Sequence, residues 1–341
     1  MLPRTIATTA WASGKAGAFE KSSGILADQY NRRMSEELHT IIDHIRYGAS
    51  RFNAAALTFG HGYDNALDEA TQLVLHALHL PHDLSPVYGQ ARLTRAERKA
   101  VLDLFDRRVQ ERRPACYLTG SAWFAGLQFK CDQRALVPRS PIAELIEAGF
   151  EPWLGELTPQ RVLDLCTGGG SIAIAIAHHL PRVMVDAVDI SPAALALARE
   201  NALDLQVAEQ VRFLESDLFS ALAGESYDLI VSNPPYVSRD EFQALPPEYA
   251  YEPANGLVAG EDGLDLVLRI LRDAPQHLEP GGLLICEVGE AEHALVRLLP
   301  HTPFTWIEFR VGSMGVFAIT REDLLAAAEP IAALAAERGA E

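Results

Sequence analysis

Short apolar segments alternate with helical ones from Arg161 onward, and no other feature constrains the fold as much. Five of these segments have the length and composition of buried strands: 161–165, 183–189, 211–215, 229–232 and 283–288. Strands that alternate with helices form an open, mostly parallel sheet with helices on both faces. Two later segments, 304–311 and 316–320, are separated by glycines and predict an antiparallel hairpin at the sheet edge. We therefore predict a Rossmann-like α/β fold.

The residues before this sheet predict a small helical domain. Residues 1–32 are rich in Ala, Gly, Ser and Thr without periodicity, which is typical of a flexible extension. Residues 33–115 carry apolar side chains at helical spacing, with one helix predicted over 65–80. Thr94 and Glu97 form a capping box at the start of another helix that runs to about Arg112.

A β-hairpin linker is predicted for residues 116–145. Its strands are placed at 123–130 and 135–138, around a Cys-Asp-Gln-Arg turn. The domain that contains the parallel sheet then covers residues 146–321. The Ala- and Glu-rich tail, residues 322–341, predicts a surface helix.

The net charge of the chain indicates which kinds of partner it can bind. The chain has 341 residues and a formal net charge of −17, which repels phosphate backbones and favours a basic partner. Its four cysteines are far apart, and His76, His79 and His82 cannot share one helical face because Pro81 intervenes, so we expect reduced thiols and no metal site. We see no secretory signal and no apolar segment of membrane-spanning length, and we expect a cytoplasmic protein.

A glycine-rich turn joins the first strand of the sheet to a helix. It reads Asp164-Leu-Cys166-Thr167-Gly168-Gly169-Gly170. Glycines let the backbone turn tightly and approach a ligand, and the helix N-terminus supplies free N–H groups. Asp164 is placed to accept from a ligand ammonium, and Asp189 ends the next strand about 20 residues on, where a carboxylate binds ribose hydroxyls. This pattern predicts a nucleoside site and leaves open a dinucleotide-dependent oxidoreductase, although the third glycine of that fingerprint would fall on Ala173.

Asp217 and Leu218 follow the third strand of the sheet. We expect the Asp217 carboxylate to accept from an adenine amino group and Leu218 to pack against the ring. A plain helix N-cap at Ser216 or Asp217 is the competing interpretation.

The loop Asn233-Pro234-Pro235-Tyr236 follows the fourth strand, and it points to the chemistry. Ligands of open α/β sheets bind at the carboxyl ends of the strands, so this loop faces the glycine turn. The prolines hold a rigid turn with exposed carbonyls, and Asn233 adds a side-chain carbonyl. Together these oxygens form an acceptor pair for both hydrogens of an NH2 group.

Such an acceptor pair suits methylation of a planar amino nitrogen. Two acceptors draw on the N–H bonds, localise the lone pair toward an electrophilic methyl and stabilise the positive charge that develops. Tyr236 can stack on the planar group and favour the same charge. We therefore predict that Asn233, Pro234 and Tyr236 are catalytic and that residues 233–236 bind the substrate.

These motifs resemble those of the protein-glutamine N5-methyltransferases, the HemK-type family. The resemblance covers residues 33–321 and includes 136–144, Glu252-Pro253, 260–264 and 287–289. It implies a class I S-adenosylmethionine methyltransferase sheet, with S-adenosylmethionine bound around Cys166–Gly170, at Asp189, at Leu218 and at Asn233. It also implies that residues 233–236 hold a glutamine side chain. One departure is Cys166, where the family often has glycine.

Within that family, the chain is most similar to the branch that methylates ribosomal protein L-three. The features that carry this similarity are 59–65, 122–126 and Pro138-Arg-Ser-Pro141, and they imply a role in ribosome assembly. We assign the helical domain, residues 33–115, to substrate recognition, because the two motifs do not distinguish one glutamine from another. A basic ribosomal protein also agrees with the acidic surface.

Other functions fit parts of the pattern. One alternative is the same chemistry on peptide-chain release factors. The nearest rival is DNA or RNA adenine N6-methylation, which uses an Asn/Asp-Pro-Pro-Tyr loop on an exocyclic amine. The charge of −17 and the lack of a basic recognition domain argue against gripping nucleic acid. A non-catalytic nucleoside-binding assembly factor is a further alternative, and an NAD-dependent oxidoreductase leaves the Asn-Pro-Pro-Tyr loop unexplained.

Overall fold

The computed structural model describes residues 37–155, 159–310 and 312–338, so the extension predicted for residues 1–32 lies outside them. The described residues divide into two compact units. The helical unit comprises 37–57 and Tyr63–Ala115, and the sheet unit comprises Thr58–Gly62 and residues 116–338. The short segment Thr58–Gly62 thus groups with the sheet unit, although it lies within the sequence of the helical region.

The sheet unit contains a seven-stranded sheet in the order β5-β4-β3-β6-β7-β9-β8. Its strands are β3 (Arg161–Leu165), β4 (Met184–Asp189), β5 (Val211–Glu215), β6 (Tyr227–Ser232), β7 (Leu278–Glu287), β8 (Thr305–Phe309) and β9 (Gly312–Thr320). The first five are parallel, and β9 lies antiparallel between β7 and β8. The predicted mostly parallel sheet with a C-terminal antiparallel hairpin is confirmed.

Helices cover both faces of this sheet. The helices from Ala115 onward in the described residues are α4 (Ala115–Thr119), α5 (Ile142–Glu147), α6 (Ser171–His179), α7 (Pro192–Asp204), α8 (Arg239–Ala244), α9 (Asp265–Asp273), α10 (Glu292–Leu298), α11 (Arg321–Ala326) and α12 (Ala328–Glu337). Side chains alternate along each strand, so Val162 packs in one core with α6, while Leu163 packs in the other with α9. None of the helices in the described ranges is long and apolar enough to cross a membrane.

The helical unit consists mainly of α1 (Ile41–Ala54), α2 (Ala66–Ala77) and α3 (Arg95–Glu111). Helix α2 is capped by Asn65, and it ends three residues before the predicted end at Leu80. Helix α3 begins with the predicted capping box of Thr94 and Glu97 and ends at a left-handed Arg112. The unit also buries an ion pair, in which Arg108 Nε lies 2.7 Å from Glu69 Oε1.

The hairpin before the sheet differs from the predicted one. Strands β1 (Ser121–Phe124) and β2 (Leu127–Lys130) pair antiparallel where we predicted one strand over 123–130, and 135–138 is not a strand. The turn falls at Ala125 and Gly126, which both have positive φ, as a type I′ turn requires. The sequence prediction missed it because alanine rarely adopts that conformation.

The C-terminal tail forms two helices where its composition predicts one surface helix. Helix α11 begins at Arg321, and α12 follows it after a single residue. Leu324, Ile331 and Ala335 are fully buried in the core beside α9. One side of the tail therefore packs against the sheet unit.

Candidate active site

A cavity of about 540 Å³ opens at the carboxyl ends of the parallel strands, inside the sheet unit. Its wall comes from 134–140, 166–172 without Gly170, 188–191, 216–218, 233–237 and 255–258. The register of the sheet explains this meeting: Leu165 pairs with Ser232 and with Val188, so the residues that follow three adjacent strands share one edge. Ser232 Oγ also donates to Leu165 O at 3.0 Å. Of the predicted site residues, all but Asp164 and Gly170 line this cavity.

Asp164 lies behind the glycine turn. Its Oδ2 accepts from Thr167 Oγ1 at 2.6 Å and from Ala173 N at 3.0 Å, which fixes the turn against α6. Its Oδ1 is buried and accepts no hydrogen bond from any residue that the structure describes. Burial raises the pKa of Asp164 to about 7. The side chain points this way because Asp164 shares the α6-facing side of β3 with Val162.

Gly170 serves packing rather than the cavity wall. Its φ is +82°, and a Cβ there would lie 2.9 Å from Ala198 Cβ and from Ile174 Cδ1. A side chain would therefore separate α6 from α7. The neighbouring Gly168 and Gly169 do face the cavity, and their backbone is open to a ligand.

Asp189 faces the cavity from the end of β4. Its Oδ2 accepts from Gly168 N at 2.8 Å, and its Oδ1 accepts from Ser191 N at 2.8 Å. Burial leaves the Asp189 carboxylate poorly solvated, and this raises its pKa. A ligand with hydroxyl donors would relieve that shortage.

Asp217 and Leu218 lie in a turn after β5, and no helix begins there, so the N-cap interpretation is wrong. Leu218 has a positive φ and is buried against the cavity. Asp217 Oδ2 accepts from Arg269 Nη2 at 2.9 Å, a partner that sequence analysis did not identify.

The Asn-Pro-Pro-Tyr loop lines the same cavity opposite the glycine turn. Its Tyr236 side chain is held tightly, because a Cβ at Gly289 would lie 2.6 Å from Tyr236 Cε2. Tyr236 Oη donates to Glu287 Oε1 at 2.9 Å, and Ser140 Oγ donates to Glu287 Oε2 at 2.6 Å. Burial, together with the Glu287 charge, raises the pKa of the Tyr236 phenol, which therefore stays neutral.

An ion pair between the buried Glu252 and the partly exposed Arg139 lies at this end of the cavity. Both guanidinium Nη atoms of Arg139 donate to the Glu252 carboxylate at 2.6 Å, and Val137 N donates to Glu252 Oε1 at 3.1 Å. The Arg139 guanidinium also lies 5.6 Å from the centre of the Tyr249 ring. Arg139 and Tyr249 both line the cavity.

The segment Thr58–Gly62 packs against the loop that contains Glu248 and Tyr249. The His61 ring lies 4.4 Å from that of Tyr249, and Thr58 N donates to Glu248 Oε1 at 3.0 Å. Segments 59–65, 136–144 and Glu252-Pro253 belong to the family resemblance, but the sequence predicts no role for them in the site. No local pattern could predict one, because Arg139 and Glu252 are 113 residues apart.

The strand order, the antiparallel β9 and the glycine turn facing an Asn-Pro-Pro-Tyr loop define a class I methyltransferase. Residues 151–245 match the methyltransferase small domain family. The chain is also 68% identical to the ribosomal protein uL3 glutamine methyltransferase of Xanthomonas campestris over 304 residues, which cover 89% of this chain and 98% of the relative. The ribosomal protein uL3 glutamine methyltransferase of Xylella fastidiosa is 66% identical to this chain over 304 residues. These residues cover 89% of this chain and 97% of the relative. The chain belongs to the ribosomal protein uL3 glutamine methyltransferase family.

Proposed function

We propose that this protein transfers a methyl group from S-adenosylmethionine to the side-chain amide nitrogen of a glutamine in ribosomal protein uL3. One observation carries the proposal: the glycine turn and the Asn-Pro-Pro-Tyr loop follow the adjacent strands β3 and β6 and line one cavity. A methyl donor held by the first therefore lies next to an amide held by the second.

The cavity fits a cationic nucleoside. Asp189 and Asp217 line it, and Asp164 lies buried behind its glycine turn with one oxygen unpartnered among the described residues. Burial raises the pKa values of Asp164 and Asp189, and a positive charge nearby would lower them again. The ammonium and sulfonium groups of S-adenosylmethionine supply such charge.

We assign the cofactor contacts by position. Cys166, Thr167, Gly168 and Gly169 would border the amino-acid part, and Asp164 would support them through Thr167. Asp189 would accept from the ribose hydroxyls, and Asp217 with Leu218 would border the adenine. Gly170 would act indirectly, by letting α6 approach α7.

S-adenosylmethionine would supply an electrophilic methyl group and leave as S-adenosylhomocysteine. The chain's own residues would position the amide. Asn233 Oδ1 and the Pro234 carbonyl would accept its two N–H hydrogens, which turns the nitrogen lone pair toward the methyl and stabilises the developing positive charge. Pro235 would keep the loop rigid, and Tyr236 would stack on the amide plane.

No strong base is needed in this scheme. The cation that would form when the amide nitrogen takes the methyl group is a strong acid, and it would lose one N–H proton to water to give the neutral N-methyl amide. The neutral Tyr236 phenol and the carboxylates already in hydrogen bonds therefore have orienting roles. Catalysis would rest mainly on positioning.

We also propose that the helical unit contributes substrate choice. The glycine turn and the Asn-Pro-Pro-Tyr loop account for methylation of an amide, but neither recognises the protein sequence around the glutamine. A chimera with this helical unit on the catalytic domain of a release-factor methyltransferase should shift its preference toward ribosomal protein uL3. Unchanged preference in a stable, active chimera would place recognition in the catalytic loops.

Mass spectrometry tests the function directly. The purified protein and S-adenosylmethionine should add one methyl group, about 14 Da, to one glutamine of uL3, which peptide fragmentation locates. Peptide-chain release factors and adenine-containing nucleic acid are the parallel substrates. Methylation of either in preference to uL3 would overturn the proposal, as would unmodified uL3 in all conditions.

A further inference from the structure

Glu287 is a buried carboxylate that accepts a hydrogen bond from Tyr236 of the Asn-Pro-Pro-Tyr loop. It ends β7 and is 4% exposed. Cys286 pairs with Ser232 in the parallel register of β6 and β7, so Glu287 stands beside Asn233, the residue that follows Ser232. Glu287 itself does not line the cavity, so it can act on a substrate only through its neighbours.

Two side chains donate to this carboxylate, and a third lies beside it. Tyr236 Oη reaches Oε1 at 2.9 Å, and Ser140 Oγ reaches Oε2 at 2.6 Å. Asn233 follows Ser232, whose strand partner Cys286 precedes Glu287, and the nearby Asn233 side chain lowers the pKa of the Glu287 carboxyl. Ser140 Oγ also accepts from Ile142 N at 3.1 Å, so its own proton is directed at Glu287.

Burial and the groups around Glu287 change the pKa of its carboxyl in opposite directions. Burial raises its pKa, while the hydrogen bonds from Ser140 and Tyr236 and the charge of Arg139 lower it, and the result is about 7. The adjacent Cys286 thiol is fully buried and its pKa is raised, so it stays neutral. The Tyr236 phenol is neutral for the same reason. Glu287 is therefore the group of this cluster that changes charge near neutral pH.

We propose that Glu287 is a positioning residue that decides which end of the Asn233 amide faces the substrate, an inference that rests on the proposed function. An ionised Glu287 accepts from Asn233 Nδ2, and Asn233 Oδ1 then faces the glutamine NH2. A protonated Glu287 donates to Oδ1 instead, and the amide turns its Nδ2 hydrogens toward the substrate. Two facing NH2 groups cannot hydrogen-bond, so methylation stops.

The pH dependence follows with a definite sign. The carboxylate is the active form and is lost as pH falls through the pKa of Glu287. We expect kcat of the wild-type enzyme with uL3 to fall below about pH 7, by about tenfold per pH unit.

Glu287→Gln removes the ionisation and keeps the shape. We expect this loss of kcat at low pH to disappear and the plateau to drop by about tenfold, because the amide orientation is no longer enforced. The dissociation constant for S-adenosylmethionine should stay within about twofold of wild type, since Glu287 does not border the cavity. The matched control is Glu290→Gln, the same change at an exposed position three residues on, which should give the wild-type profile.

Ser140→Ala provides an independent test. It removes a hydrogen bond that stabilises the Glu287 charge, so the pKa rises and the fall in kcat moves to higher pH. A purely structural role for Glu287 would lower activity equally at all pH values and would not predict this shift. The Ser140→Ala variant also tests the positioning role if the Glu287→Gln variant does not fold.

The outcomes separate the two proposals. A wild-type protein that adds no methyl group to uL3 contradicts the proposed function. A wild-type enzyme that methylates uL3, with a Glu287→Gln variant of unchanged kcat and pH profile, contradicts only the positioning role. An unchanged profile for Ser140→Ala would do the same.

Discussion

The two ends of the cavity are built in different ways. At the end proposed for the cofactor, the backbone of one continuous turn, residues 166–169, forms part of the wall, and Asp189 supports it through Gly168 N. At the end proposed for the glutamine, Tyr236 donates to the buried Glu287, which also accepts from Ser140 of a distant segment. Ser140 and Glu287, for example, are 147 residues apart in the chain.

The difference indicates how each end should respond to mutation. A binding surface made of backbone depends on local conformation. Most side-chain substitutions near it should therefore leave the affinity for S-adenosylmethionine unchanged, unless they remove a carboxylate. A surface held by a side-chain network depends on each partner, so its changes should appear in turnover. Cofactor affinity and kcat therefore report separately on the two ends.

The largest effect should come from the substrate end. Asn233→Ala removes half of the acceptor pair, and we expect kcat to fall by a factor on the order of 10² or more, with cofactor affinity largely kept. Turnover assays on uL3 and calorimetry with S-adenosylmethionine measure the two quantities. Near-wild-type turnover in a folded Asn233→Ala protein would contradict the mechanism.

Next in size is the carboxylate at the cofactor end. Asp189→Ala should weaken S-adenosylmethionine binding by about 1.5–3 kcal/mol, because charge-assisted bonds to the ribose are lost. Calorimetry gives the dissociation constant, and Asp189→Asn, which keeps one acceptor, should weaken binding less. An unchanged constant for Asp189→Ala would mean that the ribose lies elsewhere.

Two glycines give a matched pair of moderate changes. Gly289→Ala places a Cβ 2.6 Å from Tyr236 Cε2, and we expect kcat to fall by about tenfold while cofactor affinity changes little. Gly170→Ala places a Cβ 2.9 Å from Ala198 Cβ, and we expect a loss of about 1–3 kcal/mol in the free energy of unfolding. Thermal unfolding and turnover assays on both variants check this. The reverse pattern would contradict the division of the cavity into two ends.

The smallest effect should come from the surface charge. A net charge of −17 should attract a basic ribosomal protein, so kcat/KM should fall by a few-fold between about 50 and 300 mM salt. The dissociation constant for S-adenosylmethionine should change less, because that site is partly shielded from solvent. A value of kcat/KM that does not depend on salt would remove the role of surface charge in substrate encounter.

The sequence predicted the sheet and two segments of the cavity wall, the glycine turn and the Asn-Pro-Pro-Tyr loop, because those signals are local. Strands β3 and β5 were placed to the residue, since apolar runs bounded by polar residues mark buried strands. It failed at the hairpin of β1 and β2, where Ala125 adopts a positive φ that no turn motif announces. It also missed the tail's division into two helices and the contact of Arg269 with Asp217.

The sequence by itself determined the class of fold, the glycine turn and the Asn-Pro-Pro-Tyr loop, because each is written in consecutive residues. Only the tertiary structure decided that Asp164 and Gly170 stay behind the cavity wall, that Arg139 pairs with Glu252, and that Glu287 meets Ser140 and Tyr236. Those relations depend on strand register and on helix packing. They join residues far apart in the chain, and no local spacing encodes them.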